Sequence, residues 1–175
     1  MTAQHPEQDQ TTIVDMIAAA RPTAIHLETR RVHPGRARVR RLGGGQDDRR
    51  AGSWGDWFDV VKAATGRGVE IRRARIVSEP ITNFVRYEYD LTAELNLAGG
   101  EQVCWLPRRQ APAFLVPLAD FWVVDGQAVR FSHFAGDGRY LADEVSRDRA
   151  VAQACTATFE AVWELGTPHE EYRPA

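Results

Sequence analysis

A chain of 175 residues, 43% hydrophobic and 26% charged, is long enough to bury a core of its own and needs neither disulfides nor a structural metal to fold. Its net charge of −2 gives no global reason to expect nucleic acid or an anionic membrane as partner, and no apolar run approaches the roughly 20 residues of a spanning helix. Residues Met1 to Gln10 are polar and slightly acidic, which is wrong for a secretory signal, so the sequence predicts a cytoplasmic protein.

Residues 1–10 read as a flexible tail, 11–168 as one domain and 169–175 as a polar tail. Thr12 followed by Asp15 is an N-capping signature, and Ile13, Met16, Ile17 and Ala20 share one helical face until Pro22 ends it. Ala24 to Thr29 then alternates as a half-buried strand, with Ile25 and Leu27 on one side and His26 and Glu28 on the other. From Arg30 to Arg50 the chain is rich in arginine. It reads as an extended piece around Ala37–Leu42 within an exposed arginine- and glycine-rich loop at 36–52. Ser53 is placed to cap the next helix, whose core-facing stripe is Trp54, Trp57, Phe58 and Val61.

Gly66 and Gly68 close that helix, and Val69 to Val77 reads as a strand stopped by Pro80. Ile81 to Leu97 gives the clearest helix, with Phe84, Tyr87, Leu91 and Leu95 expected on the buried face and Gly99–Gly100 terminating it. A strand follows at Glu101 to Leu106. Strands Leu118–Val124 and Ala128–Phe134 flank Asp125–Gly126, a strong hairpin signal. Gly136 and Gly138 mark a loop. Ser146 then starts a last helix through Val151, Ala154, Cys155, Phe159 and Val162, ended by Gly166 and Pro168. This order predicts a mixed α/β fold, one mixed β-sheet flanked by helices, with a hairpin near the C-terminal third.

Catalytic signatures are absent. Neither Gly43–Gly45 nor Gly136-Asp137-Gly138 matches a P-loop or a dinucleotide fingerprint, and there is no GxSxG or SxxK. Ser132 and His133 are adjacent on a strand and point to opposite faces, so they do not meet without a bulge. His26, Glu28 and His33 are the nearest approach to a metal cluster, for which a polar strand face is the simpler reading. No metal and no cofactor is therefore expected. Cys104 and Cys155 read as buried free thiols.

Three features invite function. Arg36, Arg38, Arg40 and Arg41, with Arg30, Arg31, Arg49 and Arg50, concentrate positive charge suited to phosphates or to an acidic protein surface; a solvated loop is the simpler alternative. Arg75, Glu79, Arg86 and Glu88 surround the corner at Ser78-Glu79-Pro80, while Arg108, Arg109, Asp120 and Asp125 lie at later strand ends. They make either a structural arginine–carboxylate network or a binding cleft, since ligands of open sheets gather where the topology reverses. Strand alternation also turns one of Phe121 and Trp122 outward, as a partner surface would.

Ala24-Ile25-His26-Leu27-Glu28-Thr29-Arg30, the run from Val77 through Ser78-Glu79-Pro80 to Glu88, Ala98-Gly99-Gly100-Glu101, Leu106-Pro107-Arg108 and Ala119-Asp120-Phe121-Trp122-Val123-Val124-Asp125 together form a pattern over about residues 11–168. It resembles an actinobacterial family of unknown function encoded beside Xre-type helix-turn-helix regulators. The stretch Arg36–Arg50 departs from that family's pattern. The arrangement is also similar to half of a phospholipase D-like domain, whose His-x-Lys signature is missing here; Asp120-Phe121-Trp122 stands in its place, with Asp125 beyond. The resemblance implies a non-catalytic regulatory protein that keeps a cleft for a helix-turn-helix partner or a small anionic ligand. Glu79, Arg86, Arg108, Asp120 and Asp125 are the residues expected to line it. Two alternatives stand beside this: an enzyme of unrecognised type acting on a phosphate ester or natural-product intermediate through His133, Glu79 and Asp125, and direct nucleic-acid binding through the arginine-rich loop.

Overall fold

The structure, a computed structural model, describes residues 11–29, 54–112, 116–135 and 139–175. Helix α1 (Ile13–Ala19) opens with the expected capping box: Asp15 N donates to Thr12 Oγ1 (3.2 Å), and Thr12 N donates back to Asp15 Oδ2 (3.0 Å). Strands β1 (Thr23–Glu28), β2 (Glu70–Val77) and β3 (Gln102–Pro107) follow, separated by α2 (Trp54–Gly66) and α3 (Asn83–Thr92). Because a helix intervenes each time, β1 pairs β2 and β2 pairs β3 in parallel. A short 3-10 turn at Arg108–Gln110 leads towards β4 (Asp120–Val124) and β5 (Ala128–Phe134). Then come β6 (Tyr140–Ser146), α4 (Arg149–Leu165) and the two-residue β7 (Thr167–Pro168).

The described strands form one mixed sheet in the order β6-β5-β4-β1-β2-β3-β7. At the β4–β5 turn Asp125 and Gly126 adopt φ of 55° and 64°, the paired left-handed geometry that an Asp-Gly hairpin signal specifies. Helices α1 and α2 cover one face, where Trp57 and Val61 meet Ile71, Trp122 and Val124. Helix α4 covers the other, where Ala152, Phe159 and Val162 pack on Leu27, Ala74, Phe121 and Val123. With both faces covered, Phe121 and Trp122 are both buried, and neither is the outward aromatic that alternation alone led us to expect.

Other boundaries also differ from the sequence reading. Strand β6 was not anticipated: it lies at the sheet edge with Leu141, Ala142 and Glu144 exposed, so its sequence carries no strong apolar alternation. Ser146 ends β6, and Asp148 caps α4 by accepting from Ala150 N (2.7 Å). Helix α3 begins at Asn83 and runs into a π-helical turn at Ala93–Leu97. Its buried residues are Val85, Glu88, Thr92 and then Asn96, while Tyr87 is 44% exposed. The inward face is polar because the sheet beneath it is polar.

Residues 169–175, read as a polar tail, carry His169 and Tyr172 into buried positions. Cys104 is buried and Cys155 half-buried, both free; burial pushes the Cys104 thiol up to about 12. Among the described residues no helix is long and apolar enough to cross a membrane.

Candidate functional site

A strand places every second side chain on one face, and two strands of this sheet place charge on the same one. On β1 these are His26 and Glu28; on β2 they are Arg73 and Arg75, between the apolar Ile71 and Val77. The parallel register sets His26 beside Arg73 and Glu28 beside Arg75. All four are buried, together with Glu101 immediately before β3.

Buried charges persist only when paired and hydrogen-bonded, and here the pairing is dense. Glu28 bridges both arginines: Oε1 takes Arg73 Nη1 and Oε2 accepts from Arg75 Nε at 2.8 Å. Arg73 Nε donates to Glu101 Oε1 at 2.6 Å, and Asn96 from the π-helical turn donates to Glu101 Oε2 at 2.5 Å. Arg75 Nη1 reaches Thr92 Oγ1 at 2.7 Å, whose own hydroxyl donates to the Glu88 carbonyl at 2.6 Å. Glu28 and Glu101 thus pair with the two guanidiniums, and α3 is tied to the sheet through its polar side.

Aromatic rings complete the enclosure. His26 stacks on Trp122 with centroids 4.2 Å apart and planes inclined by 12°. The Arg73 guanidinium lies 5.3 Å from the Trp122 centroid, and that of Arg75 lies 4.9 Å from Trp105. His26 Nδ1 is 3.4 Å from Glu28 Oε1. His33, which with His26 and Glu28 made the nearest approach to a metal cluster, lies outside the described residues. Among those described, no three His, Cys, Asp or Glu side chains group as metal ligands.

The five residues expected to line a cleft are divided by the fold. Asp120 begins β4, beside the end of β1, and its Oδ1 accepts from Thr29 N (2.7 Å) and Thr29 Oγ1 (3.0 Å). Asp125 lies past the other end of the same strand, roughly 15 Å away at the usual rise. There its carboxylate accepts from Arg21 N (2.8 Å) and Thr23 N (3.1 Å). Glu79, Arg108 and Arg86 stay with the Asp120 end, at the corner after β2, the turn after β3 and the start of α3. Glu79 Oε1 accepts from Tyr172 Oη (2.8 Å) and Oε2 pairs with Arg109 (2.7 Å); Arg108 Nε donates to Ser78 Oγ (3.2 Å).

Ser132 and His133 turn to opposite faces as expected: Ser132 Oγ donates to Asp143 Oδ1 (3.1 Å), while His133 Nε2 lies 3.2 Å from Glu144 Oε2. Arg36, Arg38, Arg40 and Arg41 lie outside the described residues.

Asp125 thus ties the segment that enters β1 to the β4–β5 turn. Asp125→Ala is expected to lower the free energy of unfolding by about 1–2 kcal/mol, because two backbone donors lose their acceptor while remaining close to water. Chemical denaturation checks this, the slope remaining unchanged.

Arg73, Glu101, Thr92 and Asn96 were missed as members of this constellation. Their signal was present in β2, where Arg73 and Arg75 share parity with Ile71 and Val77, two residues that any core would claim.

Comparison with protein families bears out the resemblance as far as a family of unknown function. A family pattern described as a domain of unknown function, DUF6879, matches residues 11–174. The chain belongs to the DUF6879 family. Every described helix and strand of this DUF6879 domain, from α1 to β7, falls within the match. Comparison with curated proteins finds no match to the chain. The family description carries no activity.

Proposed function

We propose that this DUF6879 protein is a non-catalytic binding protein that works with a protein partner, a DNA-binding regulator of helix-turn-helix type, in bacterial signalling. The observation that carries this reading is the dispersal of Asp125, Glu79 and His133, the three groups the enzymatic alternative would use. Asp125 ties a turn to the segment entering β1 at one end of the sheet, Glu79 is held at the other by Tyr172 and Arg109, and His133 sits on β5 beside Glu144 of the edge strand. Acid–base catalysis requires its groups within hydrogen-bond reach of one substrate, which this arrangement does not offer.

The end of the sheet formed by the corner after β2 and the turn after β3 supplies a surface instead. Arg86 is exposed there, and Arg109 is 67% exposed although its partner Glu79 is buried. An arginine anchored from beneath by a buried carboxylate is preorganised for a bidentate contact with an acidic partner. The likeness to half of a phospholipase D-like domain is compatible with the mixed sheet and its hairpin. The regulator is the partner that the family resemblance supplies.

The test is affinity capture from native cytoplasm after nuclease treatment, comparing the wild type with an Arg86→Glu, Arg109→Glu double variant. The wild type is expected to retain a helix-turn-helix regulator, and the variant to lose at least about tenfold of it; melting is followed alongside, because Arg109→Glu sets a second carboxylate against the one of Glu79. Equal capture by the variant would move the surface elsewhere. Retention of nucleic acid alone would overturn the reading.

A further inference from the structure

Beyond α4 the chain crosses the outer edge of β3. Thr167 and Pro168 pair with Trp105 and Cys104, and His169 N donates to the Val103 carbonyl at 2.9 Å. The rest of this strap reaches α3 and the Glu79 corner. The Tyr172 ring stacks on Trp105 (5.5 Å, 8°), Tyr89 Oη donates to the Tyr172 carbonyl (2.9 Å), and Ile81 N donates to the Ala175 carbonyl (3.1 Å).

At its centre, Trp105 Nε1 donates to Nδ1 of the buried His169 at 3.1 Å. An indole nitrogen is a donor only, so Nδ1 must present its lone pair and the ring proton must sit on Nε2. A second proton has Nδ1 as its only place. There it would face the indole N–H directly, in a site walled by the Tyr89 ring at 4.7 Å and by Trp105. Among the described residues, the charged and titratable groups facing His169 are Glu170 and Arg173 of the strap, Arg75 of β2, and the phenols of Tyr89 on α3 and Tyr172. Two cations oppose one carboxylate.

We propose that residues 167–175 form a latch on the β3 edge, opened by protonation of His169. Burial foremost, then Arg75 and Arg173 acting against Glu170, holds the closed-state imidazole below its ordinary value of 6.5. The open strap takes up a proton at the ordinary value. Closure is therefore at full strength above 6.5 and weakens as pH falls, by up to about tenfold per unit, until the closed-state value is reached. Opening withdraws Tyr172 from Glu79, the residue that anchors Arg109, and uncovers the outer edge of β3. This latch does not depend on which partner binds.

Amide hydrogen exchange on the full chain tests it, with the protection of Ile81, His169 and Tyr172 followed against that of Ile25 and Leu27 in β1. Between about pH 7.5 and about pH 5.5 the strap amides are expected to lose several-fold to about tenfold of their protection while β1 holds. In His169→Gln, whose amide oxygen can accept the indole N–H without titrating, the strap is expected to stay closed at both values. His169→Asn substitutes if that variant does not fold. A wild-type loss below about twofold, an equal loss in the variant, or an equal loss in β1 would overturn the latch.

Discussion

Replacing Glu28 by glutamine is expected to remove about 3–5 kcal/mol of folding stability, although the side chain keeps its size and burial. Glu28 is the carboxylate shared by Arg73 and Arg75. Neutralising it removes the carboxylate that both buried guanidiniums share, and turns an amide N–H₂ towards their donors. Taking two guanidiniums out of water is tolerable only while both counter-charges remain. The contrast is Arg72 with Glu160, also a two-bond pair (2.9 and 2.6 Å) but with a Glu160 side chain 42% exposed. Solvent screens it, so Glu160→Gln is expected to cost about 1 kcal/mol or less. Urea denaturation of the two variants side by side checks both values. Equal, small losses would show that the buried network is not what holds α3 to the sheet.

Trp122→Ala is expected to cost a similar amount, about 3–5 kcal/mol, for a different reason. The indole is fully buried between α2 and the sheet, stacked on His26 and meeting Trp57 edge-on at 5.7 Å. Its removal opens a cavity under α2 that neighbouring strands, fixed by their hydrogen-bond ladders, collapse into only partly. It also removes the nearer of the two indole faces against the Arg73 guanidinium, Trp57 remaining at 6.0 Å. Trp122→Phe retains most of the packing and is expected to lose about 1–3 kcal/mol. A denaturation midpoint lowered at constant slope would identify packing as the cause; an unchanged midpoint in Trp122→Ala would exclude this cluster as a keystone of the fold.

Periodicity and turn chemistry carried much of the architecture. The Thr12–Asp15 cap, the alternation in β1, the Asp125–Gly126 hairpin and the helices ending at Gly66 and before Gly166 are local matters. Backbone geometry ties each of them to a few neighbouring residue types. The mixed sheet followed from their order, because a helix between two strands permits parallel pairing and a tight turn does not. Strand β6 was hidden because an edge strand with exposed faces needs no apolar alternation, and β7 is too short to leave a pattern.

What the sequence by itself determined about this protein is therefore its class, its principal elements and the lack of a familiar catalytic motif. The tertiary structure alone decided which charges meet. Glu28, Arg73 and Arg75 come from two strands and Glu101 from the residue before a third, with Asn96 and Thr92 from a helix whose expected buried stripe ran through Tyr87. Asp120 and Asp125, five positions apart, were separated to opposite ends of the sheet, while Glu79 and Tyr172, far apart in the chain, were joined. Local preference acts over a few bonds, whereas burial and charge pairing act across space, so only the pairing of strands in register could bring these groups together.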